Sequence, residues 1–497
     1  VFAQETAEGR ASTLGANLLL VGDAQFNERY VEGLRRVTPE QVQQVARKYF
    51  GPDRMNVAVL RPPVDEAPGA AQEIAGTEAT THERTLDNGL RVIVRENHSL
   101  PSVSIATATL GGLRYETAEN VGITSLMAQM LVRGTQHHTR QELAERVDRL
   151  GGSLVPYSGR NSFGLTAQFL SSDLPAALEL TVDALFRPTF PEEELERERQ
   201  LSLARIARQA DDVQSVAIRT LLEELFHEHP YRFMPVGTQE SVSTLTVADL
   251  KSFHAAYARP AATAIVVAGD VEPEAVFAEI ARLTDGLSAE LPQPPVAPTE
   301  PPITEPRERL VERAQEQAIV AYGFHGLKVN DPDADVLDVM DAVLSGAGMP
   351  GGRLHDALRG QQLVYFVHGI PMPGLDPGSY LIQAGTAPDT VATVREQVET
   401  IVRSLVAEPP SEEELELAKR AVVQNYRAAI ETNAALAQTI ALDVIYEIGA
   451  RDWETYEERI EAVTAEQVRR MAERVLELER AAIVVTTPAA AGAQNEG

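Results

Sequence analysis

Hydrophobic positions recur in one figure at three places along the chain: a Thr, then a run with helical apolar periodicity, then a short apolar stretch. The copies are Val-Thr-Pro-Glu-Gln-Val (37–42) leading to Met-Asn-Val-Ala-Val-Leu (55–60), Leu-Thr-Val-Ala-Asp-Leu (245–250) leading to Ala-Ile-Val-Val-Ala-Gly (264–269), and Val-Thr-Ala-Glu-Gln-Val (463–468) leading to Ala-Ile-Val-Val (482–485). Thr38, Thr246 and Thr464 stand where an N-cap belongs, with Gln41, Asp249 and Gln467 three residues on, as a capping box requires. The spacing from each Thr to Val57, Ile265 and Ile483 is the same 19 residues. The copies lie 208 and 218 residues apart, so they predict a repeated α/β domain of about 200 residues rather than a solenoid.

Between the copies, Leu90–Glu96, Ser102–Leu110 and Ser162–Leu170 alternate or run apolar, as strands do. Residues 122–133 follow a helical period; Thr139 with Glu142 caps a second helix that stops at Gly151-Gly152. A long helix opens after Pro191 with Glu192, Glu193 and Glu194 in its first turn, and Ser411 with Glu414 caps its counterpart in the last block. Two Pro-rich stretches, 61–81 and 287–306, read as linkers. They leave a head (1–60), a middle block (82–286), a final block (307–487) and a frayed tail (488–497). The pairing of strands between long helices predicts an α+β class: two homologous sandwich domains, each a mixed or antiparallel sheet with helices on one face, preceded by the closing helix and strand of another such domain.

Composition narrows the function. Lys+Arg is 44 against Asp+Glu 73, a net charge of −29, which argues against nucleic acid and anionic lipid as partners. Cys is 0, so disulfides, thiolate zinc sites and cysteine nucleophiles are excluded. No apolar run reaches the length of a membrane span. The opening residues read as mid-helix text, so the chain is expected to be a piece of a longer one.

Several segments together resemble the insulinase/pitrilysin-type zinc metallopeptidases: Leu-Asp-Asn-Gly-Leu-Arg-Val (86–92), Gly-Gly-Leu-Arg-Tyr-Glu (111–116), Gly122-Ile123, His-Pro-Tyr (229–231) with Gly237-Thr238, and Gly-Gly-Arg-Leu (351–354). The resemblance covers nearly the whole chain. It implies two paired halves, each of two such domains, closing around an unfolded peptide; residues 1–60 would end one half and 82–487 would form the other.

The family's chemistry rests on an inverted zinc motif, H-x-x-E-H, with a further Glu ligand some seventy to eighty residues on. Here the matching positions hold Ser125, Ala128, Gln129 and Arg205. A hydroxyl and an amide are poor zinc ligands, and a methyl group takes no proton. A guanidinium about 4 Å from Zn²⁺ costs about 8 kcal/mol at an effective dielectric near 20. This chain is therefore expected to bind no cofactor, with zinc carried by a partner half. Active members also carry an Arg and a Tyr in the half without zinc, about seven residues apart, that reach the substrate near the scissile bond. Arg359 and Tyr365 match that pair with a gap one residue shorter, and Arg353 is a second candidate for the Arg.

The glycine run 345–352, with Gly348 and Gly351, lacks the Lys-Ser/Thr of a phosphate loop and reads as a flexible loop at the peptide or as a plain connector. His227-Glu228-His229 has the i, i+2 spacing that shares a side only on a strand, and Pro230 would break a strand there. At His137-His138 the capping box explains Glu142 without a metal. In the family an edge strand captures peptide by strand addition; the alternation of Val103 and Ile105 marks Ser102–Leu110 as the expected edge. The resemblance leaves two functions open. One is the non-catalytic half of a zinc metallopeptidase, its zinc partner fused upstream or separate and its substrate an unstructured peptide. The other is an inactive scaffolding subunit. Bacterial periplasm or cell envelope is the expected compartment.

Overall fold

The computed structural model describes residues 7–50, 80–291, 293 and 295–489. The head strand at 55–60, residues 61–79 of the first linker, Pro292, Pro294 and the tail from 490 lie outside the described residues. The chain divides into Val1–Ala75 and Gly76–Gly497.

In the first unit, helices α1 (Ala7–Val21), α2 (Phe26–Arg35) and α3 (Pro39–Tyr49) come one after another. Thr38 caps α3: Gln41 N–H donates to its hydroxyl, and its own N–H donates to Gln41 Oε1 at 2.9 Å. Val42, Val45 and Tyr49 on α3 are exposed.

The second unit holds two sheets. The first sheet contains β1 (Thr81–Thr85), β2 (Arg91–Glu96), β3 (Ser102–Leu110), β4 (Ser153–Ser158), β5 (Ser162–Leu170) and β6 (Thr263–Gly269), in the order β1-β2-β6-β3-β5-β4. Only β2 and β6 run parallel. Helices α4 (Ile123–Met130), α5 (Arg140–Arg149), α6 (Leu174–Phe186), α7 (Glu192–Asp211), α8 (Val213–Leu225), α9 (Gln239–Thr244), α10 (Val247–Tyr257) and α11 (Pro273–Leu283) come from the same block. The second sheet contains β7 (Arg307–Arg313), β8 (Ala318–His325), β9 (Val364–Met372), β10 (Ser379–Thr386) and β11 (Ala482–Pro488), in the order β7-β11-β8-β10-β9. With it go α12 (Ala334–Ser345), the short turn α13 (Gly352–Leu354), α14 (Val391–Ala407), α15 (Glu412–Ala429), α16 (Asn433–Ile445), α17 (Tyr456–Ala462) and α18 (Ala465–Val475). The capping boxes at Thr139, Thr246, Ser411 and Thr464 are all formed.

Ser102–Leu110 is not an edge. β3 pairs with β6 on one side and β5 on the other, and its backbone groups are used on both. Val103 and Ile105 are buried in the core. Apolar alternation reports a half-buried strand but not its place in the order, which is set by β6 joining from residue 263. The first sheet ends instead at β1 and β4.

Each sheet packs its own helices on one face. The opposite face is covered by a helix from the other block. α16 lies on the first sheet, with Leu436, Ile440 and Val444 against Ile93, Ala106, Ala264 and Val266. α8 lies on the second, with Leu221, Leu222 and Leu225 in one cluster with Ile319, Ala321, Leu381 and Val484. Small residues let each helix approach; a Cβ at Gly323 would meet Leu221 Cγ at 3.1 Å. Polar ties fix the exchange: Arg91 donates to Val444 O at 2.6 Å, and His325 Nε2 to Leu225 O at 3.1 Å.

Candidate functional site

Ser125, Ala128 and Gln129, and Arg205, which the resemblance marks as the zinc positions, sit on α4 and α7, which pack together. The first turn of α4 is tightly constrained. Gly122 takes a left-handed φ of 94°, and a Cβ there would strike Gly237 and the Val236 carbonyl at 2.8 Å. The carboxylate of buried Glu116 accepts the N–H groups of Gly122 (2.8 Å) and Thr124 (3.0 Å), satisfying the open helix end. On α7, Glu198 pairs with Arg133 at 2.7 Å. Arg199 donates to the carbonyls of Val242 and Leu245 and so holds α9 and the start of α10. α4 and α7 thus form one braced helix pair.

The side chains on it do not suit a zinc ion. Ser125 and Ala128 are buried, Gln129 and Arg205 half-buried, and together they offer a hydroxyl, a methyl, an amide and a cation. Among the described residues no three His, Asp or Glu side chains converge as a metal seat would need.

The His residues singled out by spacing have structural partners. The backbone N–H groups of His227, Glu228 and His229 grip the carboxylate of Glu300 at 2.8, 2.9 and 2.9 Å, anchoring the Pro-rich connector. His229 Nδ1 accepts from Tyr231 N–H (3.2 Å), so Nε2 is the donor to Asp376 at 3.3 Å; burial pushes this imidazole's pKa down. Asp376 also pairs with Arg114 at 2.8 Å. Tyr231 OH donates to Asn161 Oδ1 at 2.6 Å, and its ring lies against Gly374, where a Cβ would come within 2.4 Å. His-Pro-Tyr is thus a clasp between the first sheet's loops and the turn joining β9 to β10. His137 bonds buried Asp183 at 2.6 Å, and His138 bonds Arg146 at 3.0 Å.

Arg359 and Tyr365 lie at the start of β9, an edge strand. A π-helical turn, His355–Arg359, precedes it. Arg359 is exposed, and its Nη1 donates to the Val364 carbonyl at 3.1 Å. Facing β10, Val364 pairs with Thr386 and Phe366 with Gly385, so Tyr365 is the extra residue of a β-bulge and is 43% exposed. A bulge at a sheet edge redirects its side chain, a common device beside functional sites. Arg353 is committed elsewhere. It grips Glu414 through Nε (2.7 Å) and Nη2 (3.2 Å), and this pairing, with the cap at Ser411, holds the Glu414 carboxyl down at about 2. In the glycine run, Gly346 and Gly352 adopt left-handed φ of 80° and 79°, with no room for a Cβ. Gly348 stands at the exposed tip with nothing around it, and Gly351 is extended.

Two family models match. Insulinase (Peptidase family M16) covers residues 91–239, and Peptidase M16 inactive domain covers 244–422. The chain belongs to peptidase family M16. A zinc protease of Mycobacterium leprae is 26% identical over 415 residues, 82% of this chain and 92% of that protein. The zinc protease YmxG of Bacillus subtilis is 24% identical over 355 residues, 71% and 86% of the two chains. Among solved structures, a peptidase M16 inactive domain from Pseudomonas fluorescens superposes with TM-score 0.77 at 22% identity, covering 83% of this chain and 99% of its own. A protease from Helicobacter pylori gives 0.76 at 19%, covering 82% and 100%. In this M16 chain both of the family's domains are matched, and the fold is that of solved M16 structures.

Sequence reading missed the bulge, which comes from a pairing register that residue types alone do not reveal. It also missed Asn161, Arg114 and Asp376 as partners of His-Pro-Tyr, since they are dispersed over more than two hundred residues.

Proposed function

We propose that this M16 chain is the non-catalytic half of an insulinase-type zinc metallopeptidase, enclosing unstructured peptides and positioning them for a zinc-bearing homologous half. What supports the reading is the packed α4–α7 pair carrying Ser125, Ala128, Gln129 and Arg205 where the resemblance places the metal ligands and base. Its own contribution to the reaction is Tyr365 with Arg359. A phenol and a guanidinium donate hydrogen bonds to a peptide carbonyl and to the negative charge that oxygen develops. The bulge supports Tyr365 in that role, and the Val364 carbonyl ties Arg359 to the residue beside it. The bidentate pair with Glu414 weighs against Arg353. The exposed apolar face of α3 also fits the reading. Its counterpart on α18 (Val468, Met471, Ala472, Val475) is buried against the second sheet's helices, so α3 has the build of a closing helix from another such domain.

The test is reconstitution with a zinc-bearing homologue. The chain alone is expected to cleave no peptide and the mixture to cleave. If cleavage in the mixture is indifferent to both Tyr365→Phe and Arg359→Ala, the scaffolding reading replaces this one.

A further inference from the structure

Beside the His-Pro-Tyr clasp, the Pro-rich connector borders a cleft of about 710 Å³, a volume suited to a small molecule. Its walls are largely apolar: Phe226, Pro295, Val296, Pro298, Pro302 and Pro377. Phe226 is buried, with the His325 ring 5.3 Å away. Val296 belongs to the mouth of the cleft and is 96% exposed.

The polar groups that line the cleft are unequally spent. Glu300 takes three backbone N–H groups, and both ring nitrogens of His229 are used. Burial pushes the pKa of His229 and of His325 down, so both imidazoles are neutral at pH 7. His325 donates from Nε2 to Leu225 O, which leaves Nδ1 as a bare acceptor. Arg114 approaches Asp376 through Nε at 2.8 Å, and among the described residues its two terminal nitrogens make no hydrogen bond. A guanidinium donor and an imidazole acceptor thus stand open on apolar walls, where unmet polar groups are costly.

We propose that this cleft binds a small, uncharged, apolar molecule with an amide head, whose oxygen accepts from Arg114 and whose N–H donates to His325 Nδ1. Charge sets the head. The lining carries one cation, Arg114, and two anions, Asp376 and Glu300, so a carboxylate enters against a net negative field. A cation would have to compete with Arg114 for Asp376. A neutral group with one acceptor and one donor meets neither penalty and satisfies both open groups. The walls set the body: the Phe226 ring and the prolines offer apolar surface to a ring on a short alkyl chain. None of these residues is used by the peptide-handling reading above.

The chain has no cysteine, so Val296→Cys carries a unique thiol at the mouth of the cleft for an environment-sensitive dye. Leu201→Cys, exposed on α7, carries the same dye as the control. The ligands are phenylbutyramide, phenylbutyrate and phenylbutylamine, one body with three heads. The amide should shift the emission at position 296 with a Kd of about 1 mM, the affinity open to so small a molecule, and leave the dye at position 201 unchanged. The acid and the amine should bind about tenfold more weakly. Arg114→Met should bring the three heads within about threefold of one another. Ala297→Trp fills the cleft and should abolish the shift for all three. Melting temperatures check that each variant is folded; if Arg114→Met is not, the order of heads in the parent and the block by Ala297→Trp decide. Acid or amine binding as tightly as the amide, a shift that survives Ala297→Trp, or equal shifts at positions 201 and 296 would overturn the proposal. So would the absence of any shift up to about 10 mM amide. A shift at position 296 that follows protein concentration without ligand would give the cleft to a second copy of the chain and overturn it as well.

Discussion

At the scale of single residues, Tyr365 and Asp443 make opposite kinds of prediction. Tyr365 stands on a bulge at an exposed edge, so losing its hydroxyl should cost little stability, within about 0.5 kcal/mol. In the reconstituted enzyme, Tyr365→Phe should slow turnover about tenfold or more, the size expected when one charge-stabilising donor is lost. An unchanged rate at saturating peptide removes Tyr365 from the site. Asp443 lies on α16 in a cleft with Asp338, Asp452 and Arg459. Burial, then the charge of Asp452, pushes its carboxyl up to about 7, with Arg459 opposing; Asp338 is pushed to about 6, again chiefly by burial. A raised carboxyl keeps its proton in the folded chain after the unfolded chain has released one. Stability is therefore lost as pH rises from about 4 through about 7. Asp443→Asn should match the parent near pH 4 and exceed it by about 4 kcal/mol at pH 8 in urea unfolding. A difference that does not change with pH would refute the assignment.

At the scale of elements, the exchanged helices decide how the fold comes apart. α8 comes after α7 in sequence but shares a core with the second sheet, and α16 belongs to the last block yet covers the first. Leu221→Ala should cost about 2–5 kcal/mol, as buried leucines do. Its local signature should appear in the other block: hydrogen exchange speeds up in β8 and β11 before β3. Faster exchange confined to the first sheet would show that α8 is merely attached. Most of the elements were legible. Ser102–Leu110 and Ser162–Leu170 coincide with β3 and β5, and the capped helices begin at their predicted Thr or Ser. The reason is local: capping boxes and apolar periods are written within a few residues. The strand order, the exchange of α8 and α16, and the bulge are not local. An α8 that buries Leu221 and Leu222 looks the same in sequence whichever sheet it meets. The proposed degenerate metal positions rest on residue types at a family spacing. The commitment of Arg353 to Glu414 was not legible, because sixty-one residues separate the partners.

At the scale of the whole molecule, the proposed reading makes the chain the frame of a zinc peptidase with other side chains at the metal positions, and it can be tested by reversing it. If α4 and α7 hold the correct register, the backbone is already arranged for a metal, and only the donors are missing. Ser125→His, Ala128→Glu, Gln129→His and Arg205→Glu together would present two imidazoles and a carboxylate, leaving a fourth position for water. The cost falls on the core, since Ser125 and Ala128 are buried, so the variant without metal should melt below the parent. Zinc should reverse that loss, because a ligand bound only to the folded state stabilises it. The variant restored at 125, 128 and 129 but keeping Arg205 separates this account from a general gain in metal affinity. It retains a cation near the seat, worth about 8 kcal/mol of repulsion at about 4 Å and an effective dielectric near 20. Elemental analysis after dialysis should therefore find about one zinc per chain in the fourfold variant and almost none in the threefold variant or the parent. Equimolar zinc in the parent would end the non-catalytic reading, and equal zinc in both variants would show that Arg205 does not face the site.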